Sequence, residues 1–538
     1  MLFSEVLKDI QNNTLNERFK GARFEVLIKY WLQTDPRYCD QLTDVWLWED
    51  FPSRKDLGGK DLGIDLVART EMGEYWAIQC KCYAPNTVIT KQSVDSFISN
   101  ANRSFSDPET FQTTSFSDLF WVSTSEKWNS TANETVKGQT KPFHRISRFD
   151  LQESPVDWQK LLEGVKGKSA RLKGKQPRKH QIDAIVKAKE YFKENDRGKL
   201  IMACGTGKTY TSLKIVESQL PESGLVLFMV PSIALLGQSL NAWFSDASKE
   251  IKAICICSDS KASRKQLEED NVNDGAVDLA YPASTDPKVV ARQLRKYRSH
   301  DGLVVVFSTY QSIDAIAAAQ NEILKETNGE YGVFDYIICD EAHRTTGAKL
   351  SGADESNFTK IHNNDFIHGK KRLYMTATPR LYGESSKIKA SKIDCILCSM
   401  DDESIYGKEF FRVGFSYAVE NGLLTDYKVL VLTVSEADLP ANIREDAENK
   451  DKELNFDDAT RLVGVINGLS KIIKGDNGVT WQTDPRMMRR GLVFCSQIRP
   501  SKKSSQLNDS IASINFAAAM PVISQKYNSE LSEEEQKR

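Results

Sequence analysis

The chain has 538 residues, 40% of them hydrophobic and 27% charged, with a formal net charge of −2. At roughly 100–200 residues per domain this length implies three or four domains, and the composition excludes a disordered or fibrous chain. No run approaches the roughly 18 apolar residues of a membrane helix, and the small net charge argues against a general polyanion-binding surface while leaving local basic grooves open.

Met1-Leu2-Phe3-Ser4-Glu5 lacks the basic start and apolar core of a secretory signal, so the expected location is the cytoplasm, away from any membrane. The ten cysteines are scattered, several in apolar runs at 253–257 and 336–339, as expected of reduced, buried thiols. Cys395 and Cys398 have zinc-like spacing without a second pair nearby, so a core element is the better reading.

In residues 1–160, Phe24, Leu27, Ile28, Trp31 and Leu32 recur at helical spacing and place Glu25 on that helix. The Gly58-Gly59 pair marks a turn, Gly63 to Ala68 reads as a strand, and Tyr75 to Lys81 reads as its hairpin partner across Glu71–Glu74. A helix is predicted to begin near Ser93. This order can bring Asp65 beside Gln79 and Lys81, which share one strand face because they are two apart. A carboxylate, an amide oxygen and an ammonium so grouped suit phosphodiester hydrolysis with hard Mg²⁺. The same spacing also arises by chance on a solvated hairpin.

Asp65, Gln79 and Lys81 resemble the catalytic triad of the PD-(D/E)XK nuclease superfamily in its Mrr-like branch, where the middle acid is commonly glutamine. The resemblance implies that Glu25 completes the metal site, with Asp61 as a second nearby acid, and that 118–125 is a later core strand. Residues 161–175 form a basic linker. The charges Lys166, Lys168, Arg171, Lys173, Lys175, Arg178 and Lys179 read either as solvated or as phosphate contacts near a domain junction.

Residues 176–400 form the next expected domain. Ala203-Cys-Gly-Thr-Gly-Lys-Thr209 lies between an apolar strand and a helical run, the context of a P-loop. Gly205, Thr206 and Gly207 curl the backbone so that its amides face phosphate, Lys208 reaches the β and γ phosphates of ATP, and Thr209 holds Mg²⁺. Asp340 and Glu341 follow a second apolar strand, where Asp340 meets the metal shell and Glu341 positions the attacking water. In order, these stretches resemble a superfamily 2 helicase or translocase with an α/β RecA-like fold. The resemblance implies that Gln181 reads adenine and that Pro231 and Ser232, then Ser308 and Thr309, touch the DNA backbone. It also implies that Thr376 and Thr378 couple hydrolysis to domain movement.

Residues 401–538 read as the start of a second RecA-like domain. Lys428–Val434 is a predicted strand, 437–458 is acidic and polar, and Arg489–Ser496 resembles the domain's first strand. No later Gly-Asp motif or arginine-finger pattern follows, so this domain reads as incomplete and poor ATP hydrolysis is expected of the chain alone.

The fold class is therefore α/β, a PD-(D/E)XK-type nuclease domain followed by RecA-like domains. The order resembles the N-terminal part of type ISP single-chain restriction–modification enzymes, with Gln79 fitting them better than type I motor subunits. That resemblance implies double-stranded DNA as partner, further motor, methyltransferase and target-recognition segments in the same or another chain, and cleavage when two enzymes meet. Rival readings are a DNA-repair or antiphage helicase–nuclease, and a DNA-binding remodelling module with an inactive head.

Overall fold

The structure, a computed structural model, describes residues 2–12, 16–59, 63–137, 139–257, 278–350, 356–384, 395–427, 439, 441, 443–444, 456–474 and 480–482. Asp61, the strand at 428–434 and the segment 489–496 lie outside the described residues.

The N-terminal region opens with helices α1 (Phe3–Asn12) and α2 (Glu17–Leu32). Asn16 caps α2 by accepting from the Phe19 N–H at 3.0 Å. The predicted stripe Phe24, Leu27, Ile28, Trp31 and Leu32 is buried. The strands β1 (Leu42–Leu47), β2 (Leu66–Thr70) and β3 (Tyr75–Lys81) pair antiparallel in turn. Asp65 lies one residue outside β2, because Gly63 turns the chain at φ 73, yet its N–H still donates to Ile78 O at 2.9 Å.

After β4 (Val88–Ile89) and α3 (Lys91–Ala101) come β5 (Ser104–Ser106) and β6 (Thr113–Ser123). β6 lies parallel to β3, which explains why β3 is apolar and buried along nearly its whole length. β7 (Lys127–Trp128), α4 (Ser130–Lys137), β8 (Phe143–Ile146), α5 (Arg148–Gln152) and α6 (Trp158–Leu162) follow, and β8 adds to β6.

The expected linker is packed rather than free. Arg171 donates to Thr34 O at 2.8 Å and lies 3.6 Å from Asp40, and Lys175 pairs with Asp246 at 3.2 Å. Lys166 also donates to Gln33 Oε1 at 3.3 Å, and Lys173 is exposed.

The motor region alternates helices and strands: α7 (Lys179–Tyr191), β9 (Arg197–Met202), α8 (Lys208–Gln219), β10 (Gly224–Val230), α9 (Ile233–Asp246), β11 (Ile251–Ile256), α10 (Pro287–Tyr297) and β12 (Leu303–Thr309). It continues with α11 (Ile313–Glu326), β13 (Phe334–Cys339), β14 (Gly347–Leu350), β15 (Gly369–Thr376), β16 (Cys395–Cys398), α12 (Glu403–Tyr406), β17 (Lys408–Val413) and α13 (Phe415–Glu420). Seven parallel strands form one sheet in the order β11-β12-β10-β13-β15-β9-β17, while β14 and β16 make a separate antiparallel pair.

β17 corrects the expected boundary at residue 400. The strand completes the first motor sheet beside β9, and Ala203 N, at the start of the P-loop, donates to Val413 O at 2.9 Å.

Met1–Asp259 and Asp274–Thr425 form one compact unit, with a continuous core cluster drawn from both the nuclease and motor regions. At the seam Arg37 donates to Asn241 Oδ1 at 2.8 Å, Tyr38 donates to Ala280 O, and Arg145 pairs with Asp278 at 3.1 Å. Arg37 also pairs with Asp35 at 2.7 Å, both side chains being almost fully buried. Burial alone would raise Asp35, but Arg37 and the hydrogen bonds from Arg37 and Ser154 hold its carboxyl below the usual range.

In the second unit the described residues form α14 (Phe456–Ser470), followed by the antiparallel pair β18 (Ile472–Lys474) and β19 (Thr480–Gln482). Ala459, Leu462, Val463 and Ile466 make the buried face of α14.

Candidate nuclease and nucleotide sites

The hairpin brings Asp65, Gln79 and Lys81 together. Asp65 Oδ2 accepts from Gln79 Nε2 at 2.8 Å and from the Cys80 N–H at 2.7 Å, and lies 4.0 Å from Lys81 Nζ. Its backbone is fixed from both sides, since Trp48 N donates to Asp65 O at 2.8 Å and Asp65 N donates to β3. The Gln79 side chain is almost fully buried, and a Cβ on Gly63 would stand 3.0 Å from its Oε1 and 3.4 Å from Ser96 Oγ. Only glycine both takes the positive φ and leaves this space.

Glu25 belongs to the same neighbourhood. Burial first, then the charges of Asp65 and Glu25, push the Cys80 thiol well above its ordinary range. Among the described residues no group of three or more His, Cys, Asp and Glu side chains is placed to hold a metal. The oxygen donors here are instead the Asp65 and Glu25 carboxylates and, once the Gln79 amide turns its Oε1 from Gly63 toward Asp65, an amide oxygen. That set fits Mg²⁺, which takes hard oxygen ligands and commonly uses one or two protein carboxylates together with substrate phosphate.

The nucleotide site lies at the C-terminal ends of β9, β13 and β15, three strands adjacent in the sheet in the order β13-β15-β9. Gly205 and Gly207 both have positive φ, and a Cβ on Gly207 would stand 2.5 Å from Gln181 Nε2. Gln181 is buried against this loop, donating to Thr206 O at 3.3 Å and accepting from Arg178 N at 2.8 Å. His180 supports the same carbonyl at 2.9 Å. Lys208 begins α8, with Nζ 3.5 Å from Met202 O and 3.8 Å from Glu341 Oε1.

Asp340 is buried, and that burial followed by the neighbouring Glu341 charge pushes its carboxyl up to about 6. A buried acid destabilised in this way is relieved by a cation, so Asp340 fits a Mg²⁺ that accompanies phosphate. Glu341 is held below the usual carboxylate range by a hydrogen bond from His343, with the Lys208 charge adding to it. His343 Nδ1 also lies 2.9 Å from Thr376 Oγ1, which accepts from Thr378 N at 3.2 Å. Of the two expected coupling threonines, Thr376 thus touches the acidic motif through one imidazole, and Thr378 is bonded to Thr376. Glu341 adopts φ 46 and ψ 47, a left-handed backbone that costs a non-glycine residue on the order of 1–3 kcal/mol.

The expected DNA-contacting residues divide. Ser232 is half-buried and caps α9, its Oγ accepting from Leu235 N at 3.3 Å beside the buried Pro231. Ser308 is 0% exposed, and its hydroxyl donates to Ile256 O at 3.0 Å. This removes Ser308 from the residues able to touch a strand in this conformation: as the penultimate residue of an interior strand it is covered on both sides. Thr309 is also buried, within 3.2 Å of Ser312 Oγ. Tyr310 lies in the same 308–311 stretch, and no role was expected of its hydroxyl, which reaches Asp340 O at 2.9 Å. A tyrosine between Thr309 and Gln311 carries no local signal of such a bond.

Residues 33–168 match the family described as restriction endonuclease, and residues 174–381 match that described as type III restriction enzyme, res subunit. The chain is 24% identical over 342 residues to the type I restriction enzyme EcoAI endonuclease subunit of Escherichia coli, covering 60% of this chain and 33% of that one. Among solved structures, the ATP-dependent type ISP restriction–modification enzyme LlaBIII bound to DNA is 35% identical with a TM-score of 0.66, over 86% of this chain and 28% of that one. A nuclease-deletion mutant of the type ISP enzyme LlaGI, in complex with a DNA substrate mimic, is 43% identical with a TM-score of 0.37, over 47% of this chain and 18% of that one. The chain thus spans about a third or less of the length of these relatives. It carries a restriction-endonuclease domain and a helicase-like ATPase domain of RecA type. No helix among the described residues is long and apolar enough to cross a membrane.

Proposed function

We infer that this chain belongs to the type ISP restriction–modification enzymes and forms their nuclease and motor segment, in which ATP-driven movement along duplex DNA delivers a nuclease centre to the strand it cuts. The observation that carries this reading is the presence, on one compact unit, of the Asp65–Gln79–Lys81 cluster and the Lys208–Glu341 nucleotide site.

In the nuclease domain, taken as residues 1–160, Asp65, Glu25 and the Gln79 amide oxygen hold a divalent cation, Mg²⁺ by the hardness of these donors. When bound, that cation neutralises phosphoryl charge and lowers the pKa of a bound water. Lys81 would orient an attacking water or the scissile phosphate and stabilise the added negative charge.

In the motor, the amides of Gly205, Thr206 and Gly207 cradle the phosphates of ATP, and Lys208 neutralises the β and γ groups. Thr209 and Asp340 would hold the accompanying Mg²⁺. Glu341, kept ionised by Lys208 and His343, orients the attacking water. Gln181 contacts adenine while bracing the loop through Thr206. Thr376 and Thr378 carry closure of the motor to the rest of the molecule. Pro231, Ser232 and the turn after Thr309 face the DNA backbone, which positions the duplex without reading bases. Target recognition and methylation belong to further segments, and both strands are cut when two enzymes meet.

The test uses the complete enzyme. Lys81→Ala is expected to abolish cleavage of duplex DNA while ATP turnover stays within about twofold, because that lysine lies in the other domain from the P-loop. Lys208→Ala is expected to stop ATP turnover and, with it, cleavage. Cleavage retained by Lys81→Ala would reduce that residue to a surface lysine, and ATP-independent cleavage by the parent would break the proposed coupling.

A further inference from the structure

We propose that Tyr310 is a positioning residue of the ATPase centre: its hydroxyl holds the Asp340–Glu341 peptide in the turn that aims Glu341, and so carries DNA engagement at 231–232, through the 310–312 turn, to that carboxylate. The inference rests on the motor reading above.

Glu341 is one of four non-glycine residues with positive φ among the described residues, the others being Phe111, Asn328 and Lys471. A left-handed conformation at such a residue persists only where its surroundings hold it. Two hydrogen bonds do so, one at each end of the same peptide group. The Tyr310 hydroxyl donates to Asp340 O at 2.9 Å, and the Glu341 N–H donates to Asp340 Oδ1 at 2.9 Å. With the carbonyl and the N–H both engaged, the peptide plane cannot rotate without breaking one of them.

Tyr310 is itself fixed. It is fully buried, and its ring stacks on Phe358 with centroids 5.2 Å apart and an interplanar angle of 29°. The turn that contains it, Tyr310–Ser312, follows directly on β12. Gln311 Nε2 donates to Pro231 O at 3.2 Å, joining this turn to the segment before α9, and Asn357 Nδ2 donates to Gln311 O at 2.9 Å. A shift of the 231–232 segment onto a phosphate backbone therefore pulls on the turn, and the turn reaches the Asp340 carbonyl through one hydroxyl. That chain of bonds is a physical link with two ends, one facing the DNA side and one at the attacking-water site.

In the complete enzyme, Tyr310→Phe deletes the hydroxyl and keeps the ring on Phe358. The expected result is that the ratio of ATP turnover with duplex DNA to turnover without it falls about tenfold, equivalent to about 1.4 kcal/mol. The KM for ATP, and the affinity for duplex measured with a non-hydrolysable ATP analogue, stay within about twofold. Phe358→Ala, which loosens the ring but keeps the hydroxyl, is expected to lower the same ratio. An unchanged ratio, or equal losses in both turnover rates, overturns the proposal. A parent enzyme whose turnover does not respond to duplex fails the motor reading itself, a result seen before any variant is made.

Discussion

Asp65 shows how one side chain is given its task by its neighbours. Without a cation its Oδ2 is satisfied by a side-chain amide and a backbone N–H, so the site is stable with glutamine at position 79. Replacing that amide by a carboxylate would set two negative charges about a hydrogen-bond length apart. Gln79→Glu is therefore expected to destabilise the metal-free protein by about 1–3 kcal/mol and to show a larger rise in melting temperature on adding Mg²⁺ than the parent. Equal melting temperatures of variant and parent in chelator would mean that Gln79 and Asp65 are not partners in solution. At this scale the sequence was informative wherever chemistry lies in contiguous residues. That Lys208 and the Asp340–Glu341 pair would lie together was legible, because a P-loop and an acidic strand end carry their own backbone context. Ser308 was not, because its burial depends on β11 and β10, which flank β12 on either side.

At the scale of elements, β17 is the most consequential addition to the motor. Its mixed sequence Lys-Glu-Phe-Phe-Arg-Val has neither the apolar run of an interior strand nor clean alternation, and its exposure reflects an edge position. Gly407 permits the docking: φ is 70, and a Cβ there would stand 1.9 Å from Arg197 O. Gly407→Ala is expected to displace β17 from β9 and, through the Ala203–Val413 bond, to loosen the P-loop. A fall in melting temperature together with at least about tenfold weaker nucleotide binding would be seen by calorimetry and titration. Unchanged nucleotide affinity would separate the strand from the loop. By contrast, α2 and the β2–β3 hairpin were legible in advance, since helical spacing and a Gly-containing turn are local signals.

At the scale of the whole molecule, the described nuclease and first motor regions share a core cluster, and at their seam Arg37, buried in an ion pair with Asp35 of its own region, donates to Asn241 of the motor. Removing one member of such a pair costs about 3–5 kcal/mol, because the other charge is left buried. The two regions are therefore expected to melt in one calorimetric transition, and Arg37→Met is expected to split it in two. Two transitions already present in the parent would mean that the seam is not cooperative.

The sequence by itself determined the two chemistries and their order along the chain. Phosphate cradles, strand-end acids and amphipathic stripes are written in residues a few positions apart, within reach of backbone geometry. Only the tertiary structure decided that β17 belongs to the first motor sheet, that Ser308 is covered, and that Arg37 meets Asn241 across 204 residues. It also decided that Tyr310 holds Asp340 across 30 residues. Such pairings come from the packing of elements distant in sequence, and no local periodicity encodes which distant partner a side chain will meet.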